Sequence, residues 1–282
     1  MYVIKLSRII AVFAVILTAA VIAVTSHTAV QTFAPDTESV RVPILMYHII
    51  LENSNGNKYI VSPGDFENDL KFLDNHGYTT IFMQDLIDYV YNGAELPEKP
   101  AILTFDDGYY NNYAYIYPLL KQYNAKAVIS IVGSYTDMYT ETIDTNVNYA
   151  HLSWDNAREM ADSGFVEIQN HTYDLHSLDK GRNGCKKNSG ESIEAYTELL
   201  THDVGSLQEK CIEHLGNAPT TFTYPYGFIS KESLDIIKAL GFKASLSCEE
   251  GVNELERKPE QLFLMKRYIR TPTRSAADIL QN

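Results

Sequence analysis

Ala101-Ile102-Leu103-Thr104-Phe105-Asp106-Asp107-Gly108 carries a near-continuous apolar run into two adjacent carboxylates and a glycine. Such a run reads as a strand buried on both faces, as in a parallel sheet. Neighbours along a strand face opposite ways. Asp106 and Asp107 can therefore share one site only where the strand stops and the chain turns, and Gly108 supplies that turn. Two adjacent carboxylates invite a division of labour, one binding a cation while the other takes a proton. The plainer alternative is an acidic turn or a helix cap.

Outward from this strand, short apolar runs alternate with amphipathic segments. Strands are expected at 42–48, 79–82, 101–105, 127–132, 165–169, 221–224, 242–246 and 265–269. Helices are expected at 63–76, 83–91, 114–123, 153–163, 192–215 and 231–240, several ended by glycine. The alternation predicts an α/β domain on parallel strands, closed as a barrel or left as an open doubly wound sheet. In both, ligands sit at the C-terminal ends of the strands.

Three more strand ends carry polar residues. Asn170-His171-Thr172-Tyr173-Asp174-Leu175-His176 holds two histidines five apart. On a helix they would lie roughly 140° apart, so they converge only if an irregular turn follows the strand. Two imidazoles and a carboxylate make an open three-ligand centre of the zinc type. Phe222-Thr223-Tyr224-Pro225-Tyr226-Gly227 fixes Tyr226 in a turn able to aim a backbone N–H at a ligand oxygen. His48 ends the first strand, where a buried core histidine is the plain reading.

Charge and cysteine usage narrow the classes. With 23 Lys and Arg against 36 Asp and Glu, the net charge is −13. That disfavours nucleic acid and, less strongly, an anionic polymer. The 282 residues, 45% hydrophobic, suffice for one large domain, expected over 40–282 as a monomer. Cys185, Cys211 and Cys248 lack metal-site spacing and allow at most one disulfide. Lys5 and Arg8 precede a sixteen-residue apolar run, Ile9 to Val24. This reads as a signal peptide or an uncleaved membrane anchor over 1–26, with a polar linker at 27–39. Either would place the domain outside the cytoplasm, secreted or held on the outer membrane face.

Thr104 to Gly108, His171 to His176 and Tyr224 to Gly227 resemble, in order and rough spacing, the three motifs of the NodB-type polysaccharide deacetylases, carbohydrate esterase family four. The likeness runs from about Val42 to Arg270. It implies a distorted (β/α)7 barrel and hydrolysis of N-acetyl groups from hexosamine units of a polysaccharide or oligosaccharide. It also implies Asp106 as general base, Asp107, His171 and His176 as ligands of one divalent metal, and Tyr226 as oxyanion donor. Zinc suits the ligand set, and cobalt, nickel or iron are compatible.

Three departures stand out. The histidine spacing is five rather than the common four, as in the branch containing biofilm poly-N-acetylglucosamine deacetylases. Thr223 occupies the place of the usual third-motif arginine, leaving Arg267, with Arg270 in reserve, to pair the base. No histidine follows His214, so the usual late acid is missing. The resemblance to the biofilm branch puts His48 in that role. The rivals are an inert carbohydrate-binding relative and a glycosidase. A glycosidase needs carboxylates about 5 to 9.5 Å apart across a sugar. Substrate choice is expected from loops at 52–59 and 133–148, with Tyr135, Tyr139 and Trp154 either stacking on sugars or packing in the core.

Overall fold

The computed structural model describes residues 39–178 and 181–281. The signal or anchor segment expected at 1–26, and all but the last residue of the linker at 27–39, lie outside these. Among the described residues no helix is long and apolar enough to cross a membrane.

The strands in chain order are β1 (Val40–Val42), β2 (Ile44–Tyr47), β3 (Ile49–Ile50), β4 (Ile60–Val61), β5 (Thr79–Thr80) and β6 (Pro100–Phe105). They continue with β7 (Ala127–Ile131), β8 (Val166–Asn170), β9 (Thr221–Thr223), β10 (Ala244–Leu246), β11 (Asn253–Leu255) and β12 (Tyr268–Ile269). The main sheet runs β10-β9-β8-β7-β6-β2-β12, with β5 also on β6, and every pairing is parallel. An isolated parallel bridge joins Leu246 of β10 to Met265, three residues before β12. The expected parallel α/β architecture is therefore present.

Two expected strands are broken for local reasons. Pro43 has no N–H to give a ladder, and it divides 42–48 into β1, antiparallel to β11, and β2, parallel to β6. At 265–269 the left-handed Leu264 (φ 58°) precedes the run. Arg267 then donates its N–H to Glu249 O rather than to a main-sheet strand, and only Tyr268 and Ile269 pair with β2. The segment expected as a loop at 133–148 opens instead with a helix, Gly133–Glu141. Trp154 sits against it: its backbone N–H donates to Thr140 Oγ1 (2.8 Å) and its indole to Asp137 Oδ1 (2.8 Å). At 2% exposure Trp154 belongs to the core and is closed to sugars.

The period-two pattern of β6 builds the site. Leu103 and Phe105 face helices 63–75 and 117–123, in a layer with Tyr47, Phe66 and Leu120. Ile102 faces the other way, with Ile44, Val128, Ala244 and the apolar side of Met83–Tyr91. Two and four residues on, this same face presents Thr104 and Asp106. Ser130 of β7 and Thr223 of β9 are buried and joined, Oγ to Oγ1, at 2.8 Å. The strands thus pass from an apolar layer to a polar one towards their C-terminal ends.

Candidate active site

Asp106 continues the β6 ladder by one bond, its N–H donating to Tyr47 O at 3.0 Å. Asp107 (φ 73°) and Gly108 (φ 69°) then both take left-handed backbone, and the strand ends. Gly108 is required twice, because a Cβ there would also lie 2.9 Å from Ile131 Cγ2. This reversal is what brings two sequential carboxylates to one cavity.

The histidines converge by a comparable break. His171 extends the β8 ladder by donating to Ile131 O. Thr172 (φ 76°) turns the chain, and its N–H donates to Asn170 Oδ1 at 2.9 Å. Asp203, from helix Ile193–Leu215, then accepts the N–H groups of Tyr173 (2.9 Å) and Asp174 (2.8 Å). The expected irregular turn is present. It brings the Nε2 atoms of His171 and His176 to 3.4 Å and 3.0 Å from Asp107 Oδ1.

One ligand atom from each of Asp107, His171 and His176 lies within 4.8 Å of the others. His171 Nδ1 sits 2.8 Å from Thr223 O. A carbonyl only accepts, so Nδ1 carries the proton and the Nε2 lone pair faces Asp107. Burial opposes charge on Asp107, yet the two imidazoles hold its carboxyl well below the usual carboxylate range. An anionic oxygen and two inward imidazole nitrogens fit a divalent cation, with room left for water or substrate.

Beside this cluster, Arg267 is fully buried. It forks onto Asp106, Nη1 to Oδ1 at 2.7 Å and Nη2 to Oδ2 at 2.8 Å. Its Nε donates to Ser247 O and Nη1 also to Thr104 Oγ1. Burial opposes charge on Asp106, but Arg267 and then His171 keep its carboxyl below the ordinary value. Arg270, the reserve candidate, is engaged elsewhere: its Nε donates to Asp69 Oδ2 at 2.7 Å. His48 Nε2 stands 4.0 Å from Asp106 Oδ2. Burial pushes its imidazole down, with Asp106 and Asp107 opposing. Tyr226 adopts left-handed backbone (φ 56°) in the Pro225–Gly227 turn, and its hydroxyl lies 3.3 Å from His176 Nδ1. His48, Asp106, Asp107, His171, His176 and Tyr226 line one cavity of about 590 Å³, together with Tyr59, Cys248 and Glu250, and Arg267 lies buried behind Asp106. Six of the seven residues singled out in the sequence meet in this cavity, and the seventh, Arg267, touches it only through Asp106.

Several supports escaped the sequence reading. Asp203 is one. Its signal was an acid on the apolar stripe Tyr196, Leu200, Val204, Leu207 and Cys211. Asn112 Nδ2 holds His48 O (3.2 Å) from a π-helical turn, Asn112–Ile116, where an α-helix from 114 was expected. His151 contacts the rings of Tyr109, Tyr135 and Tyr139, and its Nδ1 lies 2.9 Å from Asp107 O. All three cysteines are free, Cys185 and Cys211 buried and Cys248 in the cavity wall.

This fold and site define a class: residues 93–245 match the polysaccharide deacetylase family, and the chain belongs to it. Among known proteins it is similar to YxkH of Bacillus subtilis strain 168, 30% identical over 75% of this chain and 66% of that protein. It is also similar to the poly-β-1,6-N-acetyl-D-glucosamine N-deacetylase of Staphylococcus aureus strain N315, 27% identical over 68% of this chain and 62% of that protein. The chain thus spans just under two thirds of these relatives' lengths. Among solved structures, the Streptococcus pyogenes deacetylase PplD in complex with acetate aligns with a TM-score of 0.71 and 25% identity, covering 86% of this chain and 98% of that one. IcaB from Ammonifex degensii gives 0.69 and 27%, covering 82% and 92%.

Proposed function

We propose that the chain is a metal-dependent N-deacetylase that hydrolyses acetamides on N-acetylhexosamine units of an extracellular or cell-wall polysaccharide. The carrying observation is Asp106, forked by the buried Arg267, in one cavity with the Asp107, His171 and His176 cluster. Poly-β-1,6-N-acetylglucosamine is the first candidate polymer, since the Staphylococcus aureus relative is named for it. The domain is taken as 40–282, folded as a distorted (β/α)7 barrel, monomeric, and exported by a cleaved or anchoring segment at 1–26.

Asp107, His171 and His176 would hold the divalent ion, with zinc preferred. When bound it supplies Lewis acidity toward water and the acetyl carbonyl. Asp106, kept anionic by Arg267, takes a proton from the attacking water. The Tyr226 N–H donates to the acetyl oxygen as it gains charge. A lost donor of this kind typically costs about 10²–10³ in rate. The leaving nitrogen must gain a proton as the C–N bond breaks. His48 serves there: its depressed basicity keeps it neutral at rest, ready to receive the proton from Asp106 and hand it to the amine. Acetate and a free amine result.

Thr223 does not supply the pairing charge of the usual third-motif arginine, and Arg267 does so from the position just before the last strand. This supports the catalytic reading over the inert binder. The test is acetate release across N-acetylated glycans, with and without chelator. No release from any of them, with zinc or cobalt added, would overturn the proposal.

A further inference from the structure

His176 has a second side. Besides the reaction cavity it lines another of about 400 Å³, walled by Ser134, Tyr135, Asp174, Leu175 and Arg182. The two cavities share one residue of the reaction centre, His176, so the second adjoins the place where the sugar under attack would sit. Two charged side chains line it, and they differ in availability. Arg182 donates to Glu191 and to Lys186 O, so its charge is already matched. Asp174 is exposed, and its carboxylate has no hydrogen bond or ion pair among the described residues. Its backbone N–H donates to Asp203 Oδ2, and the residue lines the cavity wall. Among the described residues, the second cavity therefore offers one uncompensated negative charge, in a chain of net charge −13.

We infer that this cavity is a sugar subsite that reads acetylation state, with Asp174 favouring an already deacetylated, ammonium-bearing hexosamine next to the acetamide under attack. The inference rests on the deacetylase reading and deepens it. An acetamide is neutral and gains nothing from the carboxylate, whereas an ammonium gains an ion pair. Exposed pairs of this kind are worth about two- to five-fold in affinity. The reaction would thus be favoured beside its own product.

The test uses two synthetic N-acetylglucosamine oligomers, one fully acetylated and one with a single glucosamine adjacent to the acetylated unit. Acetate release gives kcat/KM for each. The expected ratio is roughly two- to five-fold in favour of the mixed oligomer at low salt, shrinking towards one at high salt. Asp174→Asn is expected to bring the ratio to one, and Asp174→Glu to retain most of it. Using a ratio cancels any general loss caused by disturbing the nearby His176 turn. Equal rates for wild type on both oligomers, or an unchanged ratio in Asp174→Asn, overturn the subsite and leave the deacetylase reading standing. No acetate from either oligomer overturns both.

Discussion

Arg267 and Asp106, separated by 161 residues, meet through two parallel N–H to carboxylate bonds of 2.7 and 2.8 Å, with both side chains buried. Removing one member of such a pair leaves a buried charge without its partner, at a cost of about 3–5 kcal/mol. Arg267→Met is therefore expected to lower the melting temperature sharply as well as abolish turnover. Arg267→Lys restores the charge but not the fork, so it should recover part of the stability and little activity. Thermal melts and acetate release on the three proteins decide this. A fully stable Arg267→Met protein would mean that the pair does not hold the last strand in place.

Ion binding and turnover are expected to separate cleanly. Asp106→Asn should bind zinc with unchanged stoichiometry while losing turnover by roughly 10²–10⁴-fold, the scale of general base catalysis. His171→Ala should lose both. Metal content after dialysis, measured alongside acetate release, checks the division. Loss of zinc from Asp106→Asn would move Asp106 among the ligands.

The role of His48 can be read from the leaving group. An amine must be protonated as it departs, whereas 4-nitrophenolate need not be. His48→Ala is therefore expected to slow acetamide hydrolysis by about 10²-fold or more, and 4-nitrophenyl acetate far less. Equal losses on both substrates would assign His48 to binding or to shaping the cavity instead.

Stability should carry a pH signature remote from the cavity. Burial pushes the Glu167 carboxyl up to about 7, although Met83 N–H, the Gln169 amide and Gln84 N–H all donate to it. An unfolded glutamate titrates near about 4.3. Between these values the folded chain holds a proton that the unfolded chain has released, so stability falls as pH rises. The contribution is complete below about pH 4.3 and is lost as pH climbs through about 7, on the order of 4 kcal/mol in all. Glu167→Gln should flatten that part of the profile in urea unfolding between pH 4.5 and 8. Parallel profiles for the two proteins would refute the assignment.

The legible parts of this molecule were those written in short-range pattern. The apolar runs of β6, β7 and β8, and the carboxylates and imidazoles at their ends, announce a parallel sheet with polar C-terminal ends. Glycine and proline marked most boundaries. Pro43 nevertheless divided a run that hydropathy joins, since hydropathy carries no record of a missing N–H. Helix Gly133–Glu141 was hidden because its stability comes from docking on Trp154 rather than from its own weakly patterned residues. The pairing of Arg267 with Asp106, and of Arg270 with Asp69, depends on how the last strand seats beside β2. Spacing alone does not encode that choice, so a preference and a reserve were all the sequence supported.

The crowding of Gly108 against Ile131 has a practical consequence for protein engineering. Any side chain at 108 must displace the wall of the neighbouring strand, so this corner offers no freedom for retargeting the protein to other glycans. Asn57 and Tyr59 line the same cavity from an exposed segment, the Tyr59 ring lying edge-on to His48. Libraries directed at new polymers should diversify those two positions and leave the 106–108 corner untouched.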